Sequence, residues 1–270
     1  MAYKPNISIK ALLDAGVHFG HKKNLWNPMM REYIYGVKNK VHIIDLRQTA
    51  CQLYSALKAI FAVTSNNGKI LFVNIKKQST EVVKAAAEKC DQYYVNHRWL
   101  GGMLTNWSTV SSSIKTLRSY EDILASKQKN YTKKELLDFT RKKEKLEKAI
   151  GGIRNLHGLP DILFVIDVKT HSIAVQEARK LKIPVFGIVD TNSSTDGIDF
   201  VIPGNDDSRK SIELYCNLVA DAVLYGAMSK RSSEDIESKK SLDIKQMSIT
   251  NNKYDKLVKQ EKKPTGEQSK

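Results

Sequence analysis

Ile162-Leu163-Phe164-Val165-Ile166 is an unbroken apolar run with no polar alternation, which suits a β-strand buried on both faces. Ile70-Leu71-Phe72-Val73 has the same character. Outward from these two, β-rich runs recur at residues 41–46, 69–75, 93–95, 161–167, 184–189 and 200–202. Segments 48–65, 80–90 and 172–181 between them read as helices, and a further helix at 207–228 begins after the polar caps Asn205 and Asp206. Strands alternating with helices predict the α/β class, a parallel sheet flanked by helices.

The rhythm breaks between Trp107 and Ile153. Trp107, Val110, Ile114, Leu117 and Leu124, then Leu136, Phe139, Leu146, Ile150 and Ile153, fall at three-four spacing. Asn130-Tyr131-Thr132 supplies a turn and a Thr cap, with Glu135 three residues after the Thr. The reading is an inserted antiparallel helical coiled-coil hairpin over 107–153. The remaining organisation is an N-terminal basic and aromatic arm with a short helix (1–40), an α/β body (41–106 and 154–228) and a tail (229–270). The tail's Lys, Ser, Glu, Asn and Gln, with no sustained apolar period, predict disorder.

Charge narrows the partners. Forty-four Lys and Arg against twenty-nine Asp and Glu leave +15, favouring a polyanion over a small neutral substrate. Cys51, Cys90 and Cys216 lie far apart with no CxxC pair, so neither a zinc knuckle nor a disulfide framework is suggested. Residues 1–20 lack signal or transit character, and no run approaches the roughly 20 apolar residues of a membrane span. The expectation is a soluble, untargeted protein.

Two segments suit gripping a ligand. Asn96 to Asn106 sets His97, Arg98 and Trp99 beside Gly101-Gly102, with no catalytic constellation. The arm carries His18-Phe19-Gly20-His21-Lys22-Lys23, Trp26-Asn27-Pro28, Arg31 and Lys38-Asn39-Lys40. Basic residues interleaved with aromatics fit a surface on a phosphate backbone with exposed bases; a solvated arm whose aromatics cover the sheet is the alternative, which the net charge disfavours. Lys76-Lys77 and Lys142-Lys143 read as solvated charge runs. His18 and His21 would share a face on a helix, and Asp190, Asn192 and Asp196 follow a strand, but no metal motif supports them, so structural histidines and a polar turn are favoured. No strand is followed by GxGxxG or GxxxxGK[ST]; Lys76-Lys77-Gln78-Ser79 stands where a phosphate loop would follow. No GxSxG elbow is present. Neither a cofactor nor a metal is expected.

In this light the sequence resembles the bacterial-type small-subunit ribosomal protein S-two family. The resemblance rests on Ala15-Gly16-Val17-His18-Phe19-Gly20-His21, Trp26-Asn27-Pro28, Asn39-Lys40-Val41-His42-Ile43-Ile44, residues 95–106, Gly158-Leu159-Pro160-Asp161, Ile188-Val189-Asp190-Thr191-Asn192 and Val201-Ile202-Pro203-Gly204-Asn205-Asp206-Asp207, in order from about residue 9 to 226. It implies a flavodoxin-like or Rossmann-like domain with a protruding coiled coil. It further implies a non-enzymatic constituent of the small ribosomal subunit that binds rRNA between head and body, joins late in assembly and is associated with docking of the messenger-binding protein S-one. Ribosome-bound residence in bacterial cytoplasm follows, with an organelle-encoded origin left open. The RNA-facing set is then Lys22, Lys23, Trp26, Asn27, Arg31, Lys38, Lys40, His97 and Arg98. The cations would neutralise phosphates, Trp26 would stack on a base or anchor the arm, and Asn27 would bond a sugar or base edge. Trp99, flanked by Leu100 and Leu104, reads as core. The rivals are a basic α/β enzyme or nucleotide-binding regulator, and a free RNA-binding or assembly factor.

Overall fold

The computed structural model describes residues 3–125 and 131–230. The chain divides into two units, Met1–Gly226 and Ala227–Lys270; of the second, residues 227–230 are described and are helical. The disorder expected from residue 229 onward therefore falls almost wholly outside the described residues, as does Asn130 of the hairpin turn.

Along the chain, α1 (Ile9–Asp14) precedes three short strands, β1 (Phe19–Lys22), β2 (Ile34–Lys38) and β3 (Val41–Ile44). These form a separate antiparallel sheet in the order β1-β3-β2. The run at 41–46 is thus a strand but not a member of the parallel sheet. Asn39 and Lys40 adopt φ of 52° and 64° between paired Lys38 and Val41, the backbone of a two-residue hairpin turn whose twist matches the strands.

The α/β rhythm follows: α2 (Leu46–Thr64), β4 (Ile70–Val73), α3 (Thr80–Lys89), β5 (Tyr93–Val95), the hairpin α4 (Trp107–Ala125) and α5 (Lys133–Ile150), β6 (Ile162–Ile166), α6 (Ser172–Lys180), β7 (Val185–Val189), β8 (Phe200–Pro203) and α7 (residues 209–226). All neighbouring pairs in β5-β4-β6-β7-β8 are parallel. Counting only these strands, the order is 2-1-3-4-5, the flavodoxin-like arrangement, with its switch point between β4 and β6.

Burial on both faces explains the unbroken apolar runs. Ile70, Phe72, Ile162, Phe164 and Ile166 join one core cluster with α2, α3 and α7, while Leu71, Val73, Leu163 and Val165 join a second with α4, α5 and α6. Successive side chains alternate between the two layers, as strand geometry requires. In the hairpin, Ile114 and Leu117 share the second cluster with Ile150 and Ile153, and farther out Tyr120 stacks on Phe139 at 5.6 Å, so the helices run antiparallel. Thr132 and Glu135 form a reciprocal capping box at the start of α5.

Candidate nucleic-acid interface

The antiparallel sheet concentrates charge that the sequence spreads over nineteen positions, 22 to 40. Lys22 and Lys38 both pair in register with Val41, Lys40 lies in the turn, and Lys23 N donates to Lys40 O at 2.9 Å. Four exposed lysines therefore gather at one end of the sheet. Arg31, also exposed, projects from the 3-10 helix Pro28–Tyr33. Glu32 is the single acid between residues 22 and 40, so this end presents a nearly uncompensated positive surface.

Trp26 and Asn27 are partly committed to the fold. The Trp26 ring sits 5.7 Å from buried His42 and remains 38% exposed. Asn27 Oδ1 accepts from Met29 N at 3.0 Å, capping the 3-10 helix, while Asn27 N donates to Thr191 O at 2.7 Å. That last bond, with His21 N donating to Thr191 Oγ1 at 2.8 Å, ties the arm to the segment after β7. A Cβ on Gly20 would lie 2.6 Å from Thr191 Cγ2, so the approach needs glycine there.

His97 and Arg98 are exposed just after β5 and do not join the lysine group. The arm meets the carboxyl end of β7, and β5 is three strands away, roughly 14 Å at ~4.8 Å per strand. His97 and Arg98 thus lie at the carboxyl edge of the parallel sheet, three strands from the point where the arm is tied to it. Trp99 packs against the second core cluster, with its indole N–H on Glu177 Oε1 at 3.1 Å, which agrees with a core role.

The crevice at that edge is filled by the chain itself. Asp167, Asp190 and Asp206 follow β6, β7 and β8, and all three are buried. Lys76, following β4, places its ammonium 2.7 Å from Asp206 Oδ1, 2.6 Å from Asp207 Oδ1 and 3.1 Å from Asp167 Oδ2. Burial lowers the Lys76 pKa, but the three carboxylates more than offset that and raise it. Asp206 is pushed up to about 7 by burial and by Asp190, against the pull of Lys76. Lys76 is therefore an interior cation, which corrects its reading as part of a solvated run; Lys77 is exposed.

The helix on which His18 and His21 would share a face does not form: His18 closes the turn at 15–18, and His21 lies within β1. The His18 ring lies against Phe19 at 4.0 Å, and burial lowers its pKa. His21 Nδ1 is 3.0 Å from Asp190 Oδ2 and its Nε2 is 3.3 Å from Asp207 Oδ2, and the bond to Asp190 raises its pKa. Donor atoms of His21, Asp190 and Asp207 lie within 4.8 Å of one another, next to the Lys76 ammonium. Asn192 and Asp196 instead accept local bonds from Ser193 and Ser194. A sequence signal for this cluster existed: Asp167 and Asp190 directly follow β6 and β7, and the Asp206-Asp207 pair comes three residues after β8.

The antiparallel sheet has one more feature. Its outer face forms a groove of about 700 Å³ lined by Phe19, Tyr35, Val37, Val41 and Ile43, with Lys38 at its rim. Tyr35 is 74% exposed, Phe19 49% and Val37 48%, an apolar surface nothing in the chain covers among the described residues. No described helix is long and apolar enough to cross a membrane.

Comparison with known proteins assigns a family to this architecture. The profile of the family described as Ribosomal protein S2 matches residues 12–226. The small ribosomal subunit protein uS2 of Wolbachia pipientis wMel is 54% identical over 239 residues, 88% of this chain and 85% of that one. Its counterpart from Parvibaculum lavamentivorans is 51% identical over 233 residues, 86% of this chain and 92% of that one. The counterpart from Rickettsia canadensis is 50% identical over 265 residues, 97% of this chain and 90% of that one.

Proposed function

This chain belongs to the Ribosomal protein S2 family, and we propose that, as a structural and non-enzymatic part of the small ribosomal subunit, it binds the subunit's RNA between head and body. The observation that carries the RNA contact is the convergence of Lys22, Lys23, Lys38 and Lys40 at one end of the antiparallel sheet, with Arg31 exposed on the adjoining 3-10 helix. These cations displace counterions from phosphates, each contact steepening the fall of log affinity with log salt by roughly 0.7 to 0.9. Trp26, half open, offers an indole face to an unpaired base, and the Asn27 amide group offers donors to a sugar or base edge. His97 and Arg98 form a second contact along the same sheet edge, so one protein holds two RNA elements at a fixed separation. Such bridging fits a protein that joins late in assembly, once both elements are in place.

The apolar groove over Phe19, Tyr35 and Val37 suits protein side chains better than phosphates. We assign to it the docking of the messenger-binding protein S-one, which supports translation from this position on ribosomes in the cytoplasm. The function is tested by replacing Arg31 and Lys40 with Ala together and measuring incorporation into small subunits at several salt concentrations. Occupancy is expected to fall and to depend less steeply on salt than the parent's, with the thermal melt unchanged; parent-like occupancy at every salt concentration contradicts the contact.

A further inference from the structure

We propose that Glu177, on α6, is a positioning residue that holds segment 96–106 so that His97 and Arg98 stand out toward RNA; this rests on the RNA reading above. Glu177 is buried, 7% exposed, and among the described residues every hydrogen-bond partner of its carboxylate comes from that segment. Oε1 accepts from Trp99 Nε1 at 3.1 Å and from Gly102 N at 2.8 Å. Oε2 accepts from Leu104 N at 2.9 Å, Thr105 N at 3.2 Å and Thr105 Oγ1 at 3.3 Å.

A turn that converges three backbone N–H groups on one point is an anion nest, and here the anion is the chain's own side chain. Gly102 takes φ +81°, the left-handed backbone at which the chain turns so that the Gly102, Leu104 and Thr105 amides face the carboxylate. Burial raises the Glu177 pKa, but the bonds from Leu104, Trp99, Thr105 and Gly102 more than offset it and hold the carboxyl below the usual range. The nest is thus filled by a charge at neutral pH.

The other end of the segment is fixed independently. Buried Asn96 donates from Nδ2 to Thr80 O at 3.1 Å, and Thr80 Oγ1 donates back to Asn96 O at 3.4 Å, at the start of α3. Between the Asn96 anchor and Trp99 stand only His97 and Arg98, both exposed. Two clamps around two exposed basic residues leave little freedom to lose on binding, so the contact is preorganised. A Gln at 177 keeps the volume, but its amide NH₂ would confront N–H donors on one side of the nest, releasing that clamp.

The experiment uses the full chain and, as probe, the small-subunit RNA of the native source. In the parent, hydrogen exchange should find the amides of Gly102, Leu104 and Thr105 protected, since Glu177 is their acceptor; rapid exchange at all three overturns the proposal without any variant. Binding is then measured across salt concentrations for the parent, Glu177→Gln, Arg98→Ala and the double variant. Arg98→Ala should lower the salt slope by about 0.7 to 0.9. Glu177→Gln should lower it by a similar amount, and the double variant should be no worse than Arg98→Ala alone. A purely structural loss would reduce the folded fraction but leave the slope of the folded protein unchanged, which overturns positioning. Parent-like binding by Glu177→Gln beside a weakened Arg98→Ala overturns positioning alone. Parent-like binding by Arg98→Ala overturns the RNA contact at this loop, and positioning with it.

Discussion

Replacing Lys76 with Met removes the cation on which Asp206, Asp207 and Asp167 converge at 2.6 to 3.1 Å. Met keeps most of the aliphatic stem, so packing changes little and charge changes most. Asp206 and Asp167 side chains are 2% and 7% exposed, and water cannot replace the lost ammonium there. Breaking a buried pair by deleting one partner costs about 3–5 kcal/mol. The Lys76 side chain is 22% exposed and Asp207 59%, which places the expected loss near the lower end, about 3 kcal/mol at pH 7.5. With a urea slope of about 3 kcal/mol per molar, the midpoint should fall by about 1 M. Lys89→Met is the control: its pair with Asp221 at 2.8 Å is half exposed on both sides, so its loss should stay below about 1 kcal/mol. At pH 5 the Lys76→Met deficit should shrink, because the stranded carboxylates can take up protons. Urea unfolding followed by tryptophan fluorescence reads all three proteins. A Lys76→Met midpoint equal to that of Lys89→Met at both pH values would refute the reasoning.

The parent's own stability should rise as pH falls from 8 to 6. Asp206, at about 7 in the fold against 3.8 for the free side chain, and His21, raised by Asp190, both contribute stability that is complete below their unfolded values and lost as pH climbs through the raised ones. Each extra proton held by the fold is worth about 1.4 kcal/mol per pH unit, and a flat urea midpoint from pH 8 to 6 would contradict this. His18 and His171, lowered by burial, act in the opposite sense as pH falls through about 6.5 and blunt the rise at its lower end, while Asp167 and Glu177, both lowered, do so only in acid, below their ordinary values. Leu117→Asp places a carboxylate at a fully buried seam position and should cost at least about 3 kcal/mol while opening the hairpin; circular dichroism and melting identical to the parent would rule that out. Phe19→Ser with Tyr35→Ser should leave incorporation into subunits intact while lowering the amount of S-one retained on them, and undiminished S-one would remove the groove from the docking assignment.

The three central parallel strands were legible because each is buried on both faces, and a double-sided strand leaves an unbroken apolar run such as Ile162 to Ile166. The antiparallel sheet was not. Val41 to Ile44 looks like the other strands, while its partners carry Gly20, Lys22, Gly36 and Lys38, which erase any apolar period. Its pairing is set by the Asn39-Lys40 turn, a two-residue signal inside a run that reads as basic charge. The hairpin was clear down to the Thr132 cap, since helical periodicity and capping are local. Exposed basic residues could be chosen from charge and neighbours, but their grouping needs the fold: Lys22 and Lys40 are eighteen residues apart and meet through one strand. Lys76 and Glu177 were hidden for the opposite reason. Each is a charged residue with no unusual neighbour, and only the tertiary arrangement shows that one is enclosed by aspartates and the other by backbone amides.

The central claim is membership in the small ribosomal subunit, and it is tested most directly by sucrose-gradient fractionation of lysate from the native source at moderate and high salt, with this protein quantified in each fraction. The account predicts stoichiometric co-migration with small subunits and whole ribosomes. A soluble peak under both conditions, with no signal in the ribosomal fractions, would contradict it.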